Sequence, residues 1–319
     1  ASLPKLNFNS SSLRKVMYEG KNSIVKKWLS PKYGMSGWRI DVGNMTGRLG
    51  EDDLHDEVMR GIRTAMDEVK PDAWLVAENG DFVASDLNGF GWHGAMNYQG
   101  FMRPLWNWIN QNSSIGGGFQ GLPFEMPKIG GKSLVASMVQ FSSSIPWRSL
   151  VASMVLLDSH DTARMRTVVN GDKKAHLSAV TAMLTYPGVP SIFAGDEIGL
   201  EGSWGEDSRR TINWEDRSGW DHEFLAEVKK LVHLRRNHDG LIEGGLRWVA
   251  VEDNFICYLR ESEKQSLLVF ISRKAVRTEI DLADYGYKVS KTLYGPEATG
   301  GSVKIDAEYA TQGIWEVKS

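Results

Sequence analysis

The sequence predicts an α/β fold followed by a smaller antiparallel β domain. Between residues 12 and 242, amphipathic helical segments alternate with short apolar strands, which is typical of βα units around a parallel sheet. After about residue 243, short alternating segments are separated by turns that contain Gly and Pro, a pattern that favours antiparallel strands. The 319 residues suffice for two domains, which we predict over 1–242 and 243–319.

Hydrophobic periodicity gives the elements of the first domain. The segment 53–69 has apolar residues at helical spacing, and Pro71 ends it. The strand that follows, 73–77, is apolar throughout, as expected of a parallel strand buried on both faces. A glycine-rich loop is predicted at 116–118. In order, the predicted elements are helix 12–29, strand 36–42, helix 53–69, strand 73–77, a strand end within 94–98, strand 154–159, helix 176–186, strand 189–194 and helix 223–236.

Composition excludes several classes of protein. The 37 basic and 40 acidic residues nearly balance, so the chain has no basic footprint for nucleic acid or for an anionic membrane surface. Mean hydropathy is −0.32, and no apolar run approaches the length of a membrane span. The single cysteine, Cys257, has no partner for an internal disulfide. These features are compatible with a cytoplasmic protein, and we predict that location.

Three of the predicted strands end in acidic residues. Arg39 and Asp41 are two positions apart at the end of the first strand, so they point to the same face of the sheet. Glu78 follows the strand at 73–77, and His160 and Asp161 follow the strand at 154–159. In a barrel of βα units the carboxyl ends of the strands meet at one mouth, so we expect these side chains to converge.

An Asp, a Glu and a second Asp beside an Arg and a His suit cleavage of a glycosidic bond. Retaining cleavage needs one carboxylate that attacks the anomeric carbon and one carboxylic acid that protonates the leaving oxygen. An arginine beside the attacking carboxylate favours its ionised form. The 12 tryptophans also suit the apolar faces of sugar rings, although a tryptophan serves equally well as core packing. Each acid taken alone is also compatible with a helix cap or a loop position.

At these positions the sequence resembles glycoside hydrolase family 13, the α-amylase family, and within it the neopullulanase, cyclomaltodextrinase and maltodextrin glucosidase group. The motifs that carry the resemblance are, in order, Leu3-Pro4-Lys5-Leu6-Asn7, Gly37-Trp38-Arg39-Ile40-Asp41, Glu78 after its strand, Ser159-His160-Asp161, and Gly188-Val189-Pro190-Ser191-Ile192-Phe193-Ala194-Gly195-Asp196-Glu197. The resemblance implies that 1–242 are the last five βα units, strands four to eight, of a (β/α)8 TIM barrel. It implies a small antiparallel β-sandwich over 243–319.

The resemblance also implies the roles of individual residues. Asp41 would be the nucleophile and Glu78 the general acid/base. Asp161 would bind sugar hydroxyls and favour the transition state, with Arg39 and His160 holding the substrate and its charge. Asp196 and Glu197 follow the last barrel strand and are expected to bond backbone groups or arginine side chains.

Further substrate contacts are predicted with less support from the pattern. Trp92, His93 and Tyr98 surround the presumed sixth strand end of the barrel. Arg209 lies in a segment similar to one that supplies an Asp–Arg pair to the terminal sugar in relatives, but the segment is shorter here. A surface ion pair is an equal alternative for this arginine. The Asn79-Gly80 pair after the acid/base also departs from the family pattern.

The resemblance implies partners as well. Nothing in the chain corresponds to the first three barrel strands, so we expect a complementary N-terminal fragment of the same enzyme. The expected substrate is a maltodextrin-type α-glucan, and relatives in this group often form homodimers. We expect no nucleic acid, no membrane and no cofactor. Calcium occurs in some relatives, but the sequence has no oxygen-ligand loop of the EF-hand type and no metal-ligand spacing among its histidines.

The expected function is retaining hydrolysis of α-1,4 glucosidic bonds in maltodextrins, cyclodextrins or pullulan, with α-1,6 bonds left open. Two alternatives remain. A transglycosylase would use the same glucosyl-enzyme intermediate with a sugar as acceptor. A noncatalytic sugar-binding or assembly protein would keep the scaffold alone, although it would have no reason to retain Asp41, Glu78 and Asp161 together.

Overall fold

The computed structural model describes residues 4–79, 82–111 and 125–319. The predicted glycine-rich loop at 116–118, and residues 3 and 80 of the quoted motifs, lie outside the described residues. The chain forms two compact units. Unit 1 comprises the described residues of Ala1–Gln99 and Gln140–Met154, and unit 2 those of Gly100–Val139 and Val155–Ser319.

The helices are mostly short. The first one, α1, continues directly into a π-helical segment at Lys15–Glu19. The α-helices are α1 Ser11–Arg14, α2 Ile24–Leu29, α3 His55–Asp67, α4 Arg103–Ile109, α5 Gly131–Ser143, α6 Trp147–Val151, α7 Met165–Val168, α8 Lys173–Thr185, α9 His222–Asn237 and α10 Asp239–Ile242.

The strands fall into a parallel group early in the chain and an antiparallel group at its end. They are β1 Gly37–Ile40, β2 Arg48–Leu49, β3 Asp52–Asp53, β4 Trp74–Ala77, β5 Gly94–Ala95, β6 Met154–Leu156, β7 Val189–Ser191, β8 Gly245–Glu252, β9 Phe255–Glu261, β10 Ser266–Ser272, β11 Val276–Asp281, β12 Lys288–Tyr294, β13 Ser302–Ala307 and β14 Gln312–Lys318.

Unit 1 is built on a parallel sheet with the strand order β1-β4-β5. The register pairs Gly37 with Trp74 and Ile40 with Ala77, so β1 and β4 end side by side. A parallel bridge between Met96 and Met154 extends the same arrangement. This register places the residues that follow β1 next to those that follow β4.

Helix α3 covers this sheet because its apolar residues lie on one face. Val58, Met59, Ile62 and Met66 are all buried in the core of unit 1. The acidic residues of its first turn, Asp56 and Glu57, favour the positive end of the helix dipole. Val25 and Leu29 of α2 are buried as well, and α2 contacts α3. Helix α3 follows the loop after β1, and Arg63 on it donates to the carbonyl of Gly91 in the loop after β4 at 3.2 Å.

Unit 2 contains one helix that is buried almost all round. Asp172 caps the N-terminus of α8 by accepting hydrogen bonds from the backbone N–H groups of Lys174 and Ala175. The helix contacts α9 and also strand β10 of the C-terminal sheet. A helix whose side chains are apolar or small on every face must pack against other elements on every face. The C-terminal sheet supplies part of that cover.

Two sheets make up the C-terminal region. One has the strand order β12-β14-β10-β9-β8, and the other pairs β11 with β13; the pairings are antiparallel. Both sheets contribute to a single hydrophobic core, whose buried members are Phe255, Cys257, Leu259, Leu268, Phe270, Ile280, Leu282, Val289, Val303, Ile305, Trp315 and Val317. The opposite side of the larger sheet faces α8, where the Thr185 hydroxyl bonds the Tyr258 hydroxyl at 2.5 Å.

The predicted elements agree with the structure apart from their ends, with two differences. The predicted helix 12–29 is two helical segments, because the chain is extended at Gly20 and Ser23. Helices α5, α6, α7 and α10 were not predicted, because α5 is serine-rich and the other three are too short to show a helical period. The antiparallel β region after 243 is confirmed. The division into domains 1–242 and 243–319 stays a prediction, since the compact units divide the chain elsewhere.

Candidate active site

Asp41 lies directly after β1 and is paired with Arg39. The two side chains project from the same face of the strand, and Nη1 of Arg39 donates to Oδ1 of Asp41. The Asp41 side chain is 72% exposed, so its carboxylate is accessible to a ligand. Arg39 Nη2 is buried and makes no hydrogen bond to any residue of the described ranges. The pair therefore presents an accessible carboxylate with a guanidinium beside it.

Glu78 lies directly after β4 and is held by the backbone that follows Asp41. The N–H of Val42 donates to Oε2 of Glu78 at 2.8 Å, and the N–H of Gly43 donates to the Glu78 carbonyl at 2.7 Å. Glu78 in turn donates its own N–H to the carbonyl of Ile40 at 2.8 Å. These three bonds lock the ends of β1 and β4 together, with both acidic residues at the same edge of the sheet.

This arrangement depends on an unusual backbone conformation. Val42 has φ 44° and ψ 51°, the left-handed region, which a β-branched residue adopts only under strain. The next residue must be glycine, because a Cβ on Gly43 would lie 2.6 Å from Cβ of Ala77. Backbone strain of this kind concentrates at functional sites. The turn directs two consecutive N–H groups at Glu78.

A buried histidine links the two loops that follow these strands. Nδ1 of His55 lies 2.8 Å from the carbonyl of Thr46, in the loop after β1. Its Nε2 lies 3.3 Å from Oδ1 of Asp86, in the loop after β4. Because a carbonyl only accepts hydrogen bonds, Nδ1 carries a proton. The contact with Asp86 raises the pKa of His55 above its usual value, outweighing the opposing effect of burial.

The predicted substrate contacts Trp92, His93 and Tyr98 lie inside unit 1 in this structure. Trp92 is 1% exposed and Tyr98 is 0% exposed, so neither ring is presented to solvent. Nδ1 of His93 accepts a hydrogen bond from the backbone N–H of Leu75, in the middle of β4. Burial lowers the pKa of His93, with a smaller effect from the nearby Arg63. None of the described contacts tests substrate binding by these three side chains, so that role stays a prediction.

Asp161, His160 and Arg209 lie in unit 2 and contact one another. Nη2 of Arg209 lies 3.1 Å from Oδ1 of Asp161, and Nε of Arg209 donates to the His160 carbonyl at 2.9 Å. The His160 ring lies 3.3 Å from Oδ2 of Asp161. Arg209 was predicted either to contact substrate or to form a surface ion pair. It does form an ion pair, and its partner is Asp161, a predicted site residue. Each of Asp41 and Asp161 has an arginine as its partner.

The segment that carries Arg209 is packed tightly against Asp161. A Cβ on Gly205 would lie 3.1 Å from the backbone carbonyl of Asp161, tighter than side chains normally pack. Asp207 accepts hydrogen bonds from the N–H of Ser203 and from Arg210, and these bonds lower the pKa of Asp207. The loop is therefore closed on itself, and it holds Arg209 over the turn that contains His160 and Asp161.

Asp196 and Glu197 bond the groups that were expected from sequence. Oδ1 of Asp196 accepts a hydrogen bond from Nη1 of Arg164 at 2.7 Å, and Oε2 of Glu197 accepts from the N–H of Gly195 at 2.8 Å. Arg164 itself was not singled out from sequence. The sequence offers no separate signal for it, since its partners lie far along the chain.

Among residues 4–79, 82–111 and 125–319, no cluster of three or more His, Cys, Asp or Glu side chains is arranged to hold a metal ion. Within the same ranges, no helix combines the length and the apolar character needed to cross a bilayer.

Comparison with known proteins supports the assignment of these residues to one family. The family profile described as "Alpha amylase, catalytic domain" matches residues 1–223. A cyclomaltodextrinase from Bacillus sp. is 29% identical over 273 residues, which cover 85% of this chain and 43% of the relative. An amylopullulanase from Thermoanaerobacter thermohydrosulfuricus is 30% identical over 259 residues, 75% of this chain and 16% of the relative. The chain therefore spans less than half of the length of these relatives.

Solved structures show the same fold. A debranching enzyme from Nostoc punctiforme superposes with a TM-score of 0.83 at 23% identity, covering 98% of this chain and 63% of that one. A cyclomaltodextrinase structure superposes with a TM-score of 0.77 at 24% identity, covering 98% of this chain and 50% of that one. The expected resemblance is thus confirmed, and the chain belongs to the alpha-amylase family of glycosidases.

Proposed function

We propose that this chain carries the catalytic carboxylates of a retaining α-glucosidic hydrolase that acts on maltodextrins, cyclodextrins or pullulan. The observation that supports this most is the joint placement of Asp41 and Glu78. Asp41 has Arg39 as its cationic partner, and Glu78 is bonded to the backbone immediately after Asp41. The names of the two relatives, cyclomaltodextrinase and amylopullulanase, favour an α-glucan as substrate.

In the proposed reaction Asp41 attacks the anomeric carbon and forms a glucosyl ester. Glu78 protonates the leaving glycosidic oxygen, and then removes a proton from the water that hydrolyses the ester. Arg39 pairs with Asp41 and offsets its negative charge. Asp161 binds sugar hydroxyls, and Arg209 and His160 hold it in one orientation. Two inversions at the same carbon give net retention of configuration.

The whole enzyme is proposed to contain more than this chain. We propose that 1–242 supply barrel strands four to eight and that a complementary N-terminal part of the same enzyme supplies the others. The 43% coverage of the Bacillus cyclomaltodextrinase supports a larger functional protein. A cytoplasmic location is supported by a relative from Bacillus subtilis whose name is "Intracellular maltogenic amylase". Homodimer formation remains part of the same proposal.

The test compares wild type, Asp41→Asn and Glu78→Gln on maltoheptaose and pullulan. Size exclusion and intact mass come first, and any polypeptide that co-elutes is kept in the assay. We expect the α-anomer as the first product in proton NMR, and loss of turnover in both variants with unchanged circular dichroism. Turnover that survives Asp41→Asn, or a β-anomer as the first product, would contradict the proposal. Longer oligosaccharides as the main products at high sugar concentration would favour transglycosylation instead.

A further inference from the structure

Two buried carboxyl groups meet near the Asp161 turn in unit 2. Asp158 follows β6, and its Oδ2 accepts a hydrogen bond from the backbone N–H of Met165 at 2.6 Å. Asp196 accepts from Nη1 of Arg164 at 2.7 Å. The consecutive residues 164 and 165 thus hold one carboxyl group each, and the two carboxyl groups lie within hydrogen-bonding contact of one another. Asp158 is 2% exposed and Asp196 is 4% exposed.

The charges in this cluster do not balance if both acids are ionised. Among the described residues Arg164 is the single cation in contact with the pair, and Glu197 adds further negative charge near Asp196. Two buried carboxylates in contact repel strongly, and one proton between them removes the repulsion. Oδ1 of Asp158 is buried and accepts no hydrogen bond from a donor of the described residues, so a proton can reside there. Burial, and then the charge of Asp196, raise the pKa of Asp158 well above its usual value.

Arg164 connects this pair to the Arg209 segment. Nε of Arg164 donates to the carbonyl of Ser208 at 2.8 Å, and its backbone N–H donates to the carbonyl of Gly202 at 2.9 Å. The third donor, Nη2, bonds the carbonyl of Ala194 at 3.0 Å. The guanidinium therefore has an orientation fixed from several sides. Because Ser208 directly precedes Arg209, the bond from Arg164 to the Ser208 carbonyl also fixes the position of the Arg209 backbone.

We propose that Asp158 and Asp196 share one proton, which resides on Asp158, and that this pair positions Arg164 and through it holds Arg209 against Asp161. Asp158, Asp196 and Arg164 are positioning residues, because they act through Arg209 rather than on the substrate. The proton makes the cluster a neutral acid, a carboxylate and one guanidinium, whose charges cancel. The link to substrate binding rests on the proposed function; the shared proton does not.

The shared proton is tested by two substitutions that are alike in shape. Asp158→Asn keeps a neutral donor toward Asp196 and an oxygen that accepts from Met165. Asp196→Asn removes the charge that faces Arg164. We expect Asp158→Asn to fold and bind maltoheptaose within about threefold of wild type, and Asp196→Asn to weaken binding about tenfold or more. Equal losses in both variants would overturn the proposal, because they would mean that Asp158 needs its charge.

Unfolding in urea provides a readout that needs no activity. A pKa raised in the folded state gives stability that is present at low pH and lost as pH rises above the usual value for aspartate, about 3.9. The unfolding constant of wild type divided by that of Asp158→Asn should therefore rise with pH, by up to about tenfold per pH unit. The exposed Asp306, exchanged for Asn, should show no such trend. A ratio that stays flat from pH 4 to 7 would show that Asp158 is ionised.

The positioning role is tested by Arg164→Lys, which keeps the charge and loses the planar set of donors. We expect KM for maltoheptaose to rise about tenfold while kcat changes less, since the chemistry at Asp41 is untouched. An unchanged KM would show that Arg164 only stabilises the fold. If Asp41→Asn retains turnover, the proposed function fails, but the pH trend of Asp158→Asn still decides the shared proton.

Discussion

The backbone N–H of Val42 donates to Oε2 of Glu78 at 2.8 Å, so the residue after one proposed catalytic carboxylate orients the other. The bond exists because Val42 adopts a left-handed conformation, which turns its N–H toward β4. Glu78 is therefore held by the main chain, while Asp41 is held by a side chain, Arg39. The two carboxyl groups therefore keep separate partners.

The strain at Val42 should be measurable as stability. Val42→Asn keeps the N–H that bonds Glu78 and tolerates the left-handed region better than a β-branched residue does. We expect the free energy of unfolding in urea to rise by about 1 kcal/mol, with activity close to wild type. Val69→Asn is the control, because Val69 is exposed and has no positive φ. A loss of stability at position 42 would mean that the strain is smaller than the packing of the valine side chain.

Arg209 should affect substrate affinity, and its neighbour should not. Arg209→Ala removes the contacts with Asp161 and with the His160 carbonyl, so we expect KM for maltoheptaose to rise about tenfold. Arg210→Ala is a matched control, since Arg210 bonds Asp207 instead. Steady-state kinetics on both variants decide between a substrate-positioning role and a surface ion pair. Equal effects of the two substitutions would favour the surface ion pair.

His55 should make the stability of unit 1 depend on pH. Its folded-state pKa is raised above the ordinary value of 6.5 by Asp86, so its stabilising effect is full below that value. The effect is lost as pH rises through the folded-state pKa. We expect thermal unfolding of wild type to approach that of His55→Gln as pH rises above 6.5. His222→Gln, at an exposed histidine, serves as the comparison and should leave the pH dependence unchanged.

Arg260 should be costly to replace because it is buried among carbonyl groups. It donates to the carbonyls of Thr185, Gly244 and Gly245, and burial lowers its pKa to about 10. Arg260→Met leaves these acceptors without partners, and we expect a loss of about 3 kcal/mol in unfolding free energy. Arg247→Met is the control, since Arg247 forms an exposed pair with Glu261 worth less than about 1 kcal/mol. Similar losses would mean that the buried bonds contribute little.

The acids at the strand ends could be predicted from sequence because each follows an apolar run directly. The strand register that aligns Asp41 with Glu78 follows from the same runs. The conformation of Val42 could not be predicted, since valine disfavours it and tertiary contacts impose it. The burial of Trp92 and Tyr98 could not be predicted from sequence either, because an aromatic residue beside polar neighbours suits a sugar site and a core equally well. Arg164 was missed because its partners come from two distant segments, 194–196 and the one that contains Ser208.

The buried helix α8 bears on how members of this family could be recombined. Its C-terminal end is tied to the last sheet by the Thr185–Tyr258 hydroxyl contact, and Ser178 bonds Gln312 on strand β14 at 3.2 Å. In a chimera that replaces 243–319 with the segment of another protein, side chains that do not match α8 would pack against it. The polar groups of Ser178 and Thr185 would then lose their hydrogen-bond partners. A chimera should therefore take helix α8 and the C-terminal sheet from the same parent protein. Natural exchange across this junction should be accompanied by paired changes on both sides.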